Sequence, residues 1–415
     1  MGYYRFLHNE QVTLGELRQS LLSHCQCQIR GRQVLAISDS SEINLRAHRG
    51  RVQAAELGVL SNDRDVGFFI HPTLMLDASD GFPFGISDVH LWSRPIGHAD
   101  KHTRNYKQQA IEEKESFKWL HASEYSQRCL AAASQVTYIG DREGDIYEVW
   151  ARVPNTTTQA LFRARRNRKI AESQQTLYAY LSEQPCAGTY AFQVTADTRK
   201  SREAREAWMA VRFVAVTIQR PARLRHSNYP PSLQLSAVEA REIQPPSGQK
   251  PIHWRLLTTH PIRSLETALQ AIRWYSWRWQ IEQLFAILKQ HGLDLESTQL
   301  ESVAAIKRLC LVSLGAAVRI LQLQRGRDDA CRPAALVFDS NQQQCLAQLS
   351  PRLNGRTRQQ QNPFPPYTLA WATWLIARLG RWSGYTSQRP PGIALLSRGL
   401  KHFDSLFEGW LMAQG

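Results

Sequence analysis

SLETALQAIRWYSWRWQIEQLFAILKQH, Ser264 to His291, is the clearest helix in the 415-residue chain. Ser264 is placed to cap its first turn, Glu266 stands where the helix dipole favours an acid, and Gly292 follows as a stop. At roughly 100° per residue, with Tyr275 set at zero, Arg278 falls at about −60°, Glu282 at about −20° and Lys289 at about −40°. Trp274, Trp277, Ile281, Leu284, Phe285 and Leu288 fill the neighbouring arc as a core-facing stripe. A solvated helix face would carry its charges opposite the apolar stripe. Here the polar arc lies beside it, where a cleft would run. The plain alternative is a salt-bridged surface face.

Two other acids stand at the ends of apolar runs. Val34-Leu35-Ala36-Ile37 closes on Ser38-Asp39, and Val136-Thr137-Tyr138-Ile139-Gly140 closes on Asp141. Both runs read as buried strands that deliver an acid at the C-terminal end. Carboxylate oxygens are hard ligands suited to Mg²⁺, and two such ions can serve both oxygens of an in-line phosphoryl displacement. Two acids at strand ends and a third on a helix beside the sheet suit that chemistry. With 36 acids in the chain, however, spacing alone selects no unique trio.

Gly67–Leu76 and Phe84–Trp92 read as further strands, with Asp80-Gly81 as the hairpin signal between them. Residues 3–30 read as polar helix, and Arg104–Ala133 as another helix. From about 155 to 260 the character becomes β-rich, with strand-like segments Tyr190–Thr195, Val211–Ile218 and Trp254–Thr259 among basic loops and Pro-Pro pairs. Beyond about residue 325 the chain turns Gln-, Arg- and Leu-rich with helical periodicity. Tyr367–Arg381 is the best helix there, and Pro390-Pro391-Gly392 breaks the last stretch.

The composition is 43% hydrophobic and 21% charged, which excludes a disordered or collagenous chain. Lys and Arg number 51 against 36 acids, a net charge of +15, which favours a polyanionic partner. The seven cysteines form no C-x-x-C pair, so neither a zinc ribbon nor a disulfide framework is indicated. The greasiest stretch, Leu309–Leu323, is interrupted by Arg319 and too short to span a bilayer. A reduced, cytoplasmic protein without a membrane partner is expected. Arg163, Arg165, Arg166, Arg168 and Lys169 pack five cations into seven residues, either a solvated loop or a phosphate-binding one. His98-x-x-x-His102 lacks further ligands at zinc spacing.

Tyr275-x-x-Arg278-x-x-x-Glu282-x-x-x-x-x-x-Lys289 is similar to the Y-R-E-K signature of the IS-four family of bacterial cut-and-paste transposases. Asp141-Arg142-Glu143-Gly144-Asp145 resembles that family's D-R-E-x-D segment, and Ile37-Ser38-Asp39-Ser40-Ser41 the strand ending in its first acid. The likeness continues through Tyr4-Arg5-Phe6, Glu113-Lys114-Glu115-Ser116, Ile243-Gln244-Pro245-Pro246, Trp254 and Leu411–Gly415, and covers nearly the whole chain. It implies an α/β fold: a ribonuclease-H-like catalytic core (31–325) with the β-rich insertion, and an α-helical C-terminal region (326–415) used for dimerisation. It further implies that Asp39, Asp141 and Glu282 are catalytic and bind two Mg²⁺, with Mn²⁺ able to substitute.

By the same resemblance Tyr275, Arg278 and Lys289 contact phosphates, and Trp254 stabilises a base flipped out during hairpin formation. A strand Trp is otherwise usually core, and the chain has 12. Arg46 and Arg142 fall at DNA-contacting positions, and Arg163, Arg165 and Arg168 are taken as DNA-binding. The implied partners are double-stranded DNA, both transposon ends and target, and a second copy in a synaptic homodimer at the bacterial nucleoid. Phe285 and Ala286 depart from the polar and basic residues of a close relative. Residues 1–30 correspond to part of an N-terminal helical end-binding domain. The competing expectation is therefore a truncated form that binds DNA non-specifically and inhibits full-length transposase through mixed dimers.

Overall fold

The computed structural model describes residues 2–48, 50–52, 57–62, 64–95, 97, 109–130, 132–196, 203–290, 292–385 and 389–414. Its strands are β1 (Gln33–Ser38), β2 (Ser41–Asn44), β3 (Gly58–Val59), β4 (Val66–Asp77), β5 (Pro83–Trp92), β6 (Gln135–Gly140), β7 (Thr158–Arg163), β8 (Gly188–Val194), β9 (Arg205–Gln219), β10 (Ser232–Glu242) and β11 (His253–Thr258). Its α-helices are α1 (Gly2–His8), α2 (Leu14–Ile29), α3 (Phe117–Cys129), α4 (Tyr147–Arg152), α5 (Leu177–Glu183), α6 (Leu265–Trp277), α7 (Trp279–Lys289), α8 (Val303–Gly326), α9 (Ser340–Leu353), α10 (Leu369–Leu379) and α11 (Ile393–Met412). Contacts divide the chain into two compact units.

One unit comprises residues 31–39 and 99–279. Its strands run in the order β1-β6-β7-β11-β10-β9-β8. β1, β6 and β7 are parallel, and from β11 onward every pairing is antiparallel. β1 and β6 are buried along nearly their whole length, as continuous apolar runs in a parallel sheet should be. The β-rich insertion is an antiparallel ribbon in which β9 pairs with β10 from Ser232↔Gln219 to Glu242↔Met209. β10 carries no clear strand signal, because its second half, Ala237-Val238-Glu239-Ala240-Arg241-Glu242, does not alternate in polarity. Glu239 and Glu242 are nevertheless buried, at 1% and 5% exposure. Glu239 accepts from His253 Nε2 at 2.7 Å and Arg255 Nε at 3.1 Å, and Glu242 pairs with Arg205 at 2.5 Å. Paired carboxylates can sit inside a sheet where isolated ones could not.

The other unit comprises residues 1–30, 40–98 and 280–415. β4 and β5 form the expected hairpin, closed through Asp80-Gly81, with Gly81 at φ +76°. β4 is buried along all twelve residues. The single helix expected over 3–30 is two helices. Asn9–Thr13 interrupts them, and Thr13 starts α2 with a capping box to Glu16. α2 packs on β5, where Arg18 pairs with the buried Asp88 at 2.7 Å. α8 covers the greasiest stretch, and its Gln322 side chain donates to the Pro83 carbonyl at 3.0 Å. Among the described residues no helix is long and apolar enough to cross a membrane. α10 is buried on all sides except at Arg378 and packs against α11. After the break at Pro390-Pro391-Gly392 the chain resumes as the twenty-residue amphipathic α11.

The expected helix over Arg104–Ala133 is shorter. A 3₁₀ turn, Ile111–Glu113, precedes α3, while residues 104–108 and 131 lie outside the described residues. The histidine pair His98 and His102 lies outside them as well.

Candidate active site

Two strand ends and one helix end meet within the sheet unit. In the parallel β1–β6 pairing the last matched residues are Ile37↔Ile139. Asp39 and Asp141 each follow two residues later, so the two acids leave neighbouring strands at the same level. Strands lie roughly 4.8 Å apart. Parallel pairing therefore places two carboxylates side by side at the C-terminal edge, where α/β sheets bind ligands.

Asp141 is held by packing beneath it. A Cβ at Gly140 would lie 2.4 Å from the Trp119 ring and 2.7 Å from Phe162, and one at Gly144 would lie 2.5 Å from Phe162. Both glycines let the Asp141 turn settle onto these rings, which meet edge to face at 6.1 Å. The chain then turns through the 3₁₀ segment Arg142–Gly144, leaving Arg142 exposed.

The helix expected from Ser264 to His291 is present as α6 and α7, with one residue, Arg278, between them. Ser264 caps it and forms a capping box with Thr267, while Gly292 adopts φ +126°, which suits glycine. A Cβ there would lie 2.1 Å from Ser397 Oγ. Trp274, Ile281, Leu284, Phe285 and Leu288 are buried, and Trp277 is half-buried.

The polar arc is not a solvated face. Tyr275 is 5% exposed and its hydroxyl donates to Asp141 Oδ1 at 3.2 Å. Arg278 Nη1 donates to Asp39 Oδ2 at 2.8 Å. Burial first, and the Asp141 charge second, push the Tyr275 hydroxyl up to about 12. At neutral pH it is therefore a donor, and it orients the Asp141 carboxylate. The Arg278 guanidinium also lies 5.8 Å from the Tyr275 ring, and Trp254 meets that ring at 6.0 Å while contacting Phe192 at 5.2 Å. The half-buried Arg163 acts electrostatically on Tyr275 and donates to the His253 carbonyl at 3.1 Å.

Glu282 lies in the first turn of α7 and is half-buried. Lys289, in the last turn of α7, pairs with Glu296 at 3.7 Å, and Arg46 is largely exposed and only loosely paired with Asp65, also at 3.7 Å. Among the described residues no three His, Cys, Asp or Glu side chains gather into a group fit to hold a metal ion.

The basic segment after β7 divides in two. Arg165, Arg166 and Lys169 are exposed. Arg168 instead pairs with Asp145 at 2.6 Å, and Asp145 is wholly buried. Asp145 carries no role in the sequence-based expectations beyond its place in the D-R-E-x-D segment. Its signal was present as the second acid of Asp141-Arg142-Glu143-Gly144-Asp145, but nothing local distinguishes a ligand from an anchor.

A mixed α/β chain with parallel strands that carry acids at their C-terminal ends has the ribonuclease-H-like architecture. Residues 87–319, more than half of the chain and a span that includes Asp141, Tyr275, Arg278 and Glu282, match the family described as a transposase DDE domain, and the chain belongs to that family.

Proposed function

We propose that the chain is a cut-and-paste DNA transposase of the IS-four group, close to the transposase of the Tn-five transposon. In this reading it cleaves at transposon ends and joins them to target DNA, with Asp39, Asp141 and Glu282 as ligands for two Mg²⁺, or Mn²⁺ in their place. The observation that carries the reading is the β1–β6 register, which sets Asp39 beside Asp141, together with Tyr275 and Arg278 at the end of α6, which reach the two acids.

The two strand-edge acids suit the ion type by their donor chemistry. Both strand-edge groups are hard carboxylate oxygens at half-buried positions. Two such ions, when bound, activate the attacking oxygen and stabilise the leaving one. Arg278 keeps Asp39 charge-compensated in the absence of DNA. Its planar fork also matches a phosphodiester, so the same side chain can exchange a carboxylate for a phosphate. Tyr275 holds one face of Asp141 through its hydroxyl and leaves the other carboxylate oxygen outside that bond. Lys289 adds an ammonium only loosely held by Glu296. Trp254, half-buried and edge-on to Tyr275, offers an aromatic surface for an extruded base. Arg46, Arg142, Arg163 and Arg165 extend the phosphate contacts, while Arg168 supports them from its place on Asp145.

Residues 1–30 act as part of an end-binding domain, 31–325 as the catalytic core and 326–415 as the dimerisation region of a synaptic homodimer. The test is Glu282→Ala on a supercoiled plasmid carrying cognate ends. The expected outcome is loss of Mg²⁺-dependent nicking with DNA affinity close to wild type. Substantial nicking by the purified variant would remove Glu282 from the ligand set.

A further inference from the structure

Trp254 is held between two rings. Phe192 meets it at 5.2 Å and 80°, and Tyr275 meets it at 6.0 Å and 67°, both edge to face. Tyr275 belongs to the helix that reaches Asp141, whereas Phe192 comes from β8, the last strand of the sheet. β8 alternates, with Tyr190 and Phe192 half-buried and Ala191 and Gln193 exposed, so Phe192 lies on its inward face.

The strand register alone would not bring Phe192 to Trp254. Trp254 pairs with Ala240, Ala240 with Val211 and Val211 with Gly188, so Trp254 and Gly188 stand in one row on one face, with two strands between theirs. Phe192 lies four residues beyond Gly188, an even step that keeps it on that face. In a flat sheet, three strand spacings and four residues of rise would hold the two backbones on the order of 20 Å apart. The rings meet at 5.2 Å because the sheet curls toward this face. The rest of the row, Ala240, Val211 and Gly188, is small enough to allow the curl. A Cβ at Gly188 would lie 2.4 Å from Leu265, the first residue of α6, so glycine lets β8 close against the helix that carries Tyr275.

We propose that Phe192 is a positioning residue for Trp254: with Tyr275 it fixes the plane of the indole on which an extruded, unpaired nucleobase stacks, and the antiparallel extension β8–β10 is the arm that brings it there. The inference rests on the reading of Trp254 as the base-holding aromatic. Two steeply inclined contacts define the orientation of the indole, and a platform oriented beforehand loses less freedom on binding than one that must be ordered. What the platform recognises is a π-face, so any of the four bases suits it.

The experiment follows two steps of the full chain on a supercoiled plasmid carrying cognate ends, with Mg²⁺. Nicking frees a 3′ hydroxyl. Hairpin formation is attack of that hydroxyl on the opposite strand's phosphodiester, which forms one P–O bond, breaks another and releases the flanking 3′ oxygen with the proton. Only this second step turns the strand sharply enough to require an extruded base, so the reading is the ratio of the hairpin rate to the nicking rate. Phe192→Leu, apolar but ringless, should lower the ratio by about tenfold, the upper worth of one edge-to-face pair, and Phe192→Tyr should stay within about twofold of wild type. In a Trp254→Ala background, Phe192→Leu should lower it no further, because coupled residues do not add. A Phe192→Leu ratio equal to wild type overturns the proposal. So does a loss that adds in full to that of Trp254→Ala, or a fall in nicking as large as the fall in hairpin formation. If Phe192→Leu does not fold, Phe192→Met, also ringless, is read in its place. Wild type that nicks but forms no hairpin, or Trp254→Ala with an unchanged ratio, removes the base-holding reading and this proposal with it. Wild type that does not nick removes the transposase reading instead, so the failures are distinguishable.

Discussion

Asp141 and Asp145 are separated by a single 3₁₀ turn, yet the structure places them in opposite surroundings. Asp141 is half-buried at a strand edge and accepts one hydrogen bond from a neutral hydroxyl at 3.2 Å. Asp145 is wholly buried and its two oxygens take a guanidinium, an indole N–H and backbone N–H groups. A like contrast in burial separates Asp39, whose side chain is 25% exposed and pairs with Arg278, from Glu239, which is 1% exposed and held by His253 and Arg255. Burial alone would raise the pKa of Glu239, but those hydrogen bonds and charges hold it below the usual range. A carboxylate that must accept a cation needs accessible oxygens and exchangeable partners. One that must hold two segments together needs the reverse.

That comparison can be broken most directly by exchanging the expected losses. Asp141→Ala should remove Mg²⁺-dependent DNA cleavage, by on the order of 10³-fold or more, since several kcal/mol of charge stabilisation go with a metal ligand. Its melting temperature should stay near that of wild type. Retained cleavage measured on cognate-end plasmid would place Asp141 among the anchors.

Asp145→Ala should do the opposite in kind. It strands Arg168, whose side chain is only 10% exposed, and breaking a buried pair typically costs about 3–5 kcal/mol. A drop of several degrees in the thermal midpoint is expected, and a midpoint equal to that of Asp141→Ala would erase the distinction between the two acids.

A smaller effect sharpens the comparison at a group whose charge is set by burial and not by pairing. His260 Nε2 lies 2.9 Å from Thr137 Oγ1, and burial lowers its pKa to about 4. A histidine depressed in the folded state contributes stability above its ordinary value near 6.5, and that contribution is lost as pH falls from about 6.5 to about 4. His260→Gln should flatten this part of the urea-midpoint profile, by up to about 3 kcal/mol. A profile as steep as the parent's would show that the carboxylate anchors, not His260, govern the acid side.

Local signals in the chain were enough for much of the machinery. Ser264 and Gly292 bound a helix because a cap and a left-handed stop act within one turn. Asp80-Gly81 closed a hairpin for the same reason, and the apolar runs before Asp39 and Asp141 became strands. Capping, turn chemistry and periodicity are short-range, so they survive in a bare sequence. Tertiary structure alone decided which strands pair and in what register. It set Asp39 beside Asp141, and brought Arg278 to an acid 239 residues away in the chain. It also made β10 a buried strand despite Glu239 and Glu242, because their partners come from β11 and β9. An acid's environment is composed of atoms from distant segments, so short-range signals could name the acids but not the partners and burial that surround each.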